Sequence, residues 1–193
     1  MLKSALKTIL ILLFIAPPIA IWLLMAPLSV RFEGFSQAMR SLGQILGLSG
    51  MSLFCLVFLL KTRVRWIDSI FSGLDKAYIN HHNIGGIAFV LLLFHPLALA
   101  IRFIPQSIRG AALFLVPSFS QTAILYGEIG LGLMIILLVI TFFIKLKYHI
   151  WKFSHKFMAL AFAFGFIHMI LIPSDISQNY FLRFYLVSLA LIS

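Results

Sequence analysis

Acidic residues are scarce in this sequence. Asp and Glu number 5 against 15 Lys and Arg, and charged residues make up only 10% of the 193 residues. A soluble domain averages about 25% charged residues, so the composition excludes an ordinary soluble protein. The 62% hydrophobic content instead indicates a multi-pass membrane protein surrounded by lipid. A net charge of +10 would suit nucleic acid, but the basic residues flank apolar runs, where membrane topology explains them. We therefore expect no nucleic-acid partner.

Long apolar runs dominate the rest of the chain. A membrane-spanning helix needs about 20 apolar residues, and the sequence offers five such runs: Leu6–Leu28, Leu42–Leu60, Ile79–Phe103, Ala123–Ile144 and Phe153–Ile172. A sixth run begins near Tyr180 and stops with the sequence at Ser193. We therefore predict an all-α, six-helix transmembrane bundle at the front of a longer protein. The stretch Pro105–Gln121 contains two prolines and Gly110, and it predicts the longest external loop.

Lysine and arginine are distributed unevenly between the two sides of the membrane. Ten accompany the N-terminus and the second and fourth loops, namely Lys3, Lys7, Lys61, Arg63, Arg65, Lys76, Lys145, Lys147, Lys152 and Lys156. Five belong to the opposite side, namely Arg31, Arg40, Arg102, Arg109 and Arg183. Because basic loops tend to stay in the cytoplasm, the N-terminus is predicted to be cytoplasmic. The third and fifth helices would then both run from inside to outside.

Histidines lie within two of the apolar runs. The third run, INHHNIGGIAFVLLLFHPLALAI, carries His81 near its inner end and His95 nearer its outer end. The fifth run, WKFSHKFMALAFAFGFIHMI, carries His155 and His168 in the same order. An imidazole at membrane depth needs a partner, and two parallel helices with one histidine at each depth predict two stacked bis-imidazole sites for porphyrin iron. Because Cys55 is the only cysteine, there is no intrachain disulfide and no Cys-x-x-Cys-His motif, which predicts two non-covalent b-type haems.

The spacing of the histidines differs between the two helices. On an ideal helix, the 14 residues from His81 to His95 return to within about 40° of the same face. The 13 residues from His155 to His168 miss that face by about 140°. We therefore expect a bend or a local π-type adjustment in the fifth helix, near Gly165. Of the adjacent pair His81 and His82, the same geometry prefers His81.

The stretches LDKAYINHHNIGGIAFVLLLFHPLALAIRF and YHIWKFSHKFMALAFAFGFIHMILIPSD resemble the third and fifth helices of the ferric reductase-like transmembrane domain. This is the superfamily of ferric reductases and NADPH oxidases, and its bacterial members are the most similar. The resemblance covers nearly all of residues 1–193. It implies that His81 and His155 hold the inner haem and that His95 and His168 hold the outer one, in a bacterial inner (plasma) membrane. It also implies FAD and NAD(P)H on a C-terminal domain missing from this chain or on a partner subunit.

The function implied by the resemblance is that of a membrane oxidoreductase. When histidines occupy both axial positions of an iron, the haem is a one-electron carrier without an open position for substrate. Electrons would pass from cytoplasmic NAD(P)H and flavin to a small acceptor outside, oxygen or ferric iron. One alternative is a quinone- or flavin-linked haem b subunit that serves a separate reductase. A second alternative is a haem-free transporter or channel with histidine relays. No general acid–base pair is visible, so the catalytic residues are not predicted.

A few other residues are candidates for the site. Arg102, about two turns beyond His95, would pair with a haem propionate or anchor the helix at the interface. Gly85 would let a porphyrin or another helix approach the backbone closely. Arg40 is a candidate for the acceptor pocket, and Glu128 is either a paired interfacial carboxylate or part of a proton or acceptor site. The tryptophans fit interfacial belts: Trp22, Trp66 and Trp151.

Overall fold

The computed structural model describes residues 2–62, 64–117 and 119–193, and every regular element in these ranges is helical. In chain order the helices are α1 (Leu2–Leu24), α2 (Leu28–Arg31), α3 (Gly34–Lys61), α4 (Arg65–Ile70), α5 (Leu74–Ile101), α6 (Ile108–Phe114), α7 (Thr122–Phe143), α8 (Tyr148–His155), α9 (Met158–Leu171), α10 (Asp175–Gln178) and α11 (Tyr180–Ile192). Arg63, which was counted among the basic residues, lies outside the described residues. The predicted all-α class is confirmed for the described part of the chain.

Five segments are long and apolar enough to cross a membrane. They are formed by α1, α3, α5 and α7, and by α8 together with α9 over Tyr148–Leu171. Each contains or overlaps one of the five predicted runs, so the chain is an integral membrane protein. The helix predicted to begin near Tyr180 is present as α11, but its 13 residues are fewer than a full span requires. A sixth membrane crossing therefore stays a prediction.

The predicted external loop contains a short helix that the sequence reading did not anticipate. α6 begins directly after Ser107, whose hydroxyl oxygen accepts a hydrogen bond from the Gly110 amide at 3.0 Å. Serine at this position satisfies an amide that would otherwise have no helical partner. The helix ends at Phe114, before Pro117, so it occupies only the middle of the predicted loop.

The helices form two compact units, Met1–Leu115 with Asn179–Ser193 and Val116–Gln178. In the first unit α3 is the most buried span, and α5 packs antiparallel along it. Gly50 of α3 lies against Leu92 of α5, and Gly43 lies against Leu99. Small residues at such contacts let two membrane helices approach closely. In the second unit α7 and α9 are the main packing pair.

A buried arginine joins α1, α2 and α3 within the first unit. The Arg31 guanidinium carbon lies 3.6 Å from the centre of the Trp22 ring, and the same group donates a hydrogen bond to the Trp22 carbonyl. Ser41 of α3 donates to the Arg31 carbonyl at 2.7 Å, and the Trp22 indole donates to the Gln44 side-chain oxygen at 3.2 Å. Trp22 has no exposed surface. Its predicted place in an interfacial belt is therefore wrong, because the ring is enclosed by the protein.

Candidate functional site

The two predicted ligands on α5 both lie against backbone carbonyls of α3. His95 Nδ1 is 2.7 Å from the Gly43 oxygen, and His81 Nδ1 is 3.0 Å from the Val57 oxygen. A carbonyl oxygen can only accept, so Nδ1 must carry the proton and the neutral ring keeps its lone pair on Nε2. His82, the next residue after His81, has an exposed side chain.

The second unit repeats this arrangement at His168. Its Nδ1 donates to the Ala123 carbonyl of α7 at 2.7 Å, which again leaves the lone pair on Nε2. His155 is the last residue of α8, and its ring stacks on Trp151 with the ring centres 5.5 Å apart and the planes inclined by 23°. Each of the four predicted ligands is thus half-buried and on the helix that the sequence indicated. The pairing of α5 histidines with α8 and α9 histidines stays a prediction.

The segment between His155 and His168 is wound more tightly than a regular α-helix. α8 and α9 are joined at Lys156 and Phe157, and four hydrogen bonds near this joint run to carbonyls three residues back, at 2.9–3.1 Å. They are donated by the amides of Lys156, Phe157, Ala159 and Leu160. Such 3₁₀ winding turns about 120° per residue instead of about 100°.

This tightening reduces the angular mismatch of the 13-residue spacing. Four residues at about 20° extra each add about 80°, which lowers the mismatch from about 140° to about 60°. The expected adjustment is therefore present, but it is a tightened turn instead of a π-type one, and it does not lie at Gly165. A π-type turn winds less per residue, and an equal change of about 80° in that direction would leave the mismatch at about 140°. Gly165 instead packs against α7, where a Cβ on Gly130 would lie 3.1 Å from its amide nitrogen.

The histidine environment fits an axial ligand of haem iron. A hydrogen bond from Nδ1 to a carbonyl fixes the tautomer and ring orientation of a metal-binding histidine and raises the basicity of Nε2. His81, His95 and His168 all have this bond. The part of the chain that the structure describes holds no cluster of three or more His, Cys, Asp or Glu side chains able to bind a bare metal ion.

A cavity of about 410 Å³ opens at the end of the α3–α5 pair nearer to His95. Its volume is in the range of small-ligand sites. The lining residues include two arginines and no acidic residue: Ser36, Gln37, Arg40, Arg102, Phe103 and Gln106.

Of the two arginines that line this cavity, Arg102 is the more buried. Its guanidinium lies 4.5 Å from the centre of the Phe103 ring, and its carbonyl accepts a hydrogen bond from Ser36 at 2.8 Å. The buried Nε of Arg102 has no hydrogen-bond partner among the described residues. Burial, and secondarily the positive charge of Arg40, lowers the pKa of Arg102. Both effects oppose the positive charge and would be relieved by a bound anion.

The positions of Gly85 and Glu128 give no specific support to a role in the site. A Cβ on Gly85 would lie 3.8 Å from Val57 of α3, an ordinary packing distance, so its contact with haem stays a prediction. Glu128 is half-buried on α7, next to Gly127. Its role also stays a prediction.

Sequence reasoning missed the groups that hold the imidazoles. The accepting carbonyls are invisible in a sequence, because every residue has one. Gly47 and Gly127 lie directly under two of the histidine rings. Two glycines within predicted membrane helices are a weak sequence indication of a close contact at those positions. Glycine inside a helix is unfavourable by about 1 kcal/mol relative to alanine, so its presence there calls for a packing reason.

Comparison with known proteins identifies one family. Residues 46–166 match the family described as "Ferric reductase like transmembrane component", which is more than half of the chain. The matched segment runs from within α3 to within α9 and includes His81, His95 and His155, while His168 lies just beyond its end. A comparison with curated proteins gave no match.

Proposed function

The chain belongs to the ferric reductase-like transmembrane family, and on that premise we propose that it carries electrons across the membrane through two b-type haems. Because the chain belongs to this family, it is part of a membrane oxidoreductase that transfers electrons through the membrane. In the proposal, electrons come from a cytoplasmic flavin supplied by NAD(P)H, on a further domain or a partner subunit. They leave to oxygen or ferric iron on the outer side. When bound, each haem would supply a one-electron carrier.

The observation that supports this proposal best is the hydrogen bond that His81, His95 and His168 each make from Nδ1 to a backbone carbonyl. A hydrogen-bond relay would use both ring nitrogens to pass protons, whereas a backbone carbonyl holds Nδ1–H in place and directs the Nε2 lone pair away from the bond. That arrangement is typical of iron ligands. His81 and His155 would hold the inner haem, and His95 and His168 the outer one.

The basic cavity supports an electron exit at the His95 end. Arg102 follows His95 by seven residues, or about two helical turns, and it lines the cavity together with Arg40. A carboxylate is the natural partner of a guanidinium, so Arg102 would pair with a propionate of the outer haem. Arg40 is more exposed and would face the acceptor.

Haem content and its response to histidine substitution test the proposal. The purified protein is expected to be red, to contain two haems per chain in a pyridine haemochrome assay, and to be reduced by dithionite. His81→Ala and His155→Ala should each lower the haem content from two to one, and so should His95→Ala and His168→Ala. His82→Ala is the matched control and should retain both haems. A colourless protein would favour a haem-free histidine relay, and haem loss in His82→Ala but not in His81→Ala would refute the ligand assignment.

A further inference from the structure

Gly47 of α3 lies directly beneath the ring of His95. A Cβ placed on Gly47 would be 2.8 Å from His95 Nδ1 and 2.9 Å from Cε1. These distances are far inside the roughly 3.5–4.0 Å at which non-bonded carbon atoms attract each other. The imidazole therefore occupies space that only glycine leaves open at this position.

Gly127 of α7 lies in the same way beneath His168. A Cβ there would be 2.8 Å from His168 Nδ1 and 2.9 Å from Cγ. The two sites also share a register. In each, the ring nitrogen donates at 2.7 Å to the carbonyl four residues before the glycine, Gly43 in one case and Ala123 in the other. One turn of helix thus supplies both the acceptor and the surface on which the ring rests.

His81, near the other end of α5, has no glycine at the equivalent position. His81 donates to the Val57 carbonyl at the longer distance of 3.0 Å, and the residue four positions after Val57 is Lys61. Two other glycines of α3 lie against leucine side chains instead of an imidazole, since a Cβ on Gly50 would meet Leu92 at 2.8 Å and one on Gly43 would meet Leu99 at 2.6 Å. The close fit under an imidazole is therefore specific to the two histidines assigned to one haem.

We propose that Gly47 and Gly127 are positioning residues for the axial ligands of the outer haem. This inference rests on the proposed function, because it assumes that His95 and His168 bind iron. Each glycine lets the ring settle close enough to the helix for a short Nδ1–H···O bond. That bond makes Nε2 more basic, and a more basic ligand stabilises the ferric state and lowers the reduction potential.

Alanine substitution at these glycines tests whether they position the histidine ligands or only allow the helices to pack. Gly47→Ala adds a methyl group that pushes His95 away from the Gly43 carbonyl, while alanine itself is the better helix former. The weaker hydrogen bond should raise the midpoint potential of one haem and alter its low-temperature EPR signal, and the other haem should be unchanged. Where the ring cannot move, one haem should be lost. Gly127→Ala should affect the same haem from the other helix.

Two glycines of the same helices provide matched controls. Gly50→Ala crowds Leu92 as severely as Gly47→Ala crowds His95, so it should lower the melting temperature without moving either potential. Gly132→Ala on α7 meets no atom within 4 Å and should resemble the wild type. The readouts are haem content, redox titration and EPR of the full chain in detergent.

The possible results are distinct. A wild type without haem would refute the proposed function itself. A wild type with two haems, together with Gly47→Ala and Gly127→Ala variants whose potentials and EPR match those of Gly50→Ala, would overturn only the positioning role. If Gly47→Ala failed to accumulate even in haem-deficient cells in which Gly50→Ala accumulates, the glycine would be required by the helix pair, and the positioning role would again be refuted.

Discussion

At the scale of single residues, burial distinguishes side chains that the sequence treats alike. Trp22, Trp66 and Trp151 all lie near the ends of apolar runs, and all three were assigned to interfacial belts. Trp66 is 55% exposed, whereas Trp22 is completely enclosed. The difference arises because Arg31 packs on the Trp22 ring. A contact made by the chain turning back on itself cannot be read from residue type or from distance to a helix end.

We predict that Trp22→Ala destabilises the protein much more than Trp66→Ala. Removing a large buried aromatic side chain costs roughly 3–5 kcal/mol in free energy of unfolding, and here it also takes the ring from beneath the Arg31 guanidinium. Trp66→Ala, at an exposed position of the same residue type, should change the stability by less than about 0.5 kcal/mol. Thermal melting of the detergent-solubilised protein, followed by fluorescence-detected size exclusion, measures both. Equal melting shifts in the two variants would contradict the structural role of Trp22.

The histidines show how far single-residue reasoning reaches. An imidazole inside an apolar run is costly, so His81, His95, His155 and His168 could be singled out from the sequence alone. Their orientation could not, because it depends on carbonyls and glycines of helices that are distant in sequence. His95 and Gly43, for example, are separated by 52 residues.

At the scale of secondary structure, apolar runs located the spanning helices but not all of their ends. The second run was predicted to begin at Leu42, whereas α3 begins at Gly34. The additional turns contain Ser36, Gln37 and Arg40, which line the basic cavity. Hydrophobicity marks only the part of a helix that lies in hydrocarbon, so a polar extension that carries functional residues is missed. α6 was missed for a different reason: its 7 residues are far fewer than a membrane span, and the nearby prolines and Gly110 indicated a loop.

The tightened joint between α8 and α9 was predicted in part. The 13-residue spacing showed that the fifth span must depart from regular winding, but spacing alone does not show where. The structure locates the departure at Lys156 and Phe157, around which four amides donate to carbonyls three residues back. We therefore attribute the smaller angular mismatch between His155 and His168 to this joint.

We predict that the fifth span tolerates an extra residue at this joint and nowhere nearby. An alanine inserted after Lys156 gives His155 and His168 the 14-residue spacing of α5, so the 3₁₀ turn can relax to regular α-helix and both haems should be retained. An alanine inserted after Phe162, within regular α9, should instead rotate His168 by about 100° against the preceding part of α9 that packs on α7, and so move its ring away from the Ala123 carbonyl. That variant should lose at least one haem in the pyridine haemochrome assay. Equal haem content in the two insertion variants would show that the joint has no special capacity to absorb an extra residue.

At the scale of the whole molecule, basic residues lie at both ends of the first unit, with the lysines at one end. Lys61, Arg65 and Lys76 belong to the end of the α3–α5 pair near His81, and Arg40 and Arg102 to the end near His95. This grouping agrees with the sides assigned from the sequence. Which end faces the cytoplasm stays a prediction, since it rests on the ten-to-five excess of basic residues.

The orientation predicts a direction of electron flow that sealed vesicles can test. The isolated chain should accept electrons from dithionite but should not oxidise NAD(P)H, because the flavin would be supplied by another domain or subunit. That component would dock at the end of the α3–α5 pair near His81, where Lys61 and Lys76 lie. Their positive charges would attract an acidic surface on the component. With it present in right-side-out vesicles, NAD(P)H inside should reduce both haems, and a membrane-impermeant acceptor outside should reoxidise them. NAD(P)H added only outside should have no effect until detergent opens the vesicles. Rapid haem reduction by external NAD(P)H in sealed vesicles would reverse the orientation, and NAD(P)H oxidation by the isolated chain would show that the flavin site lies within it.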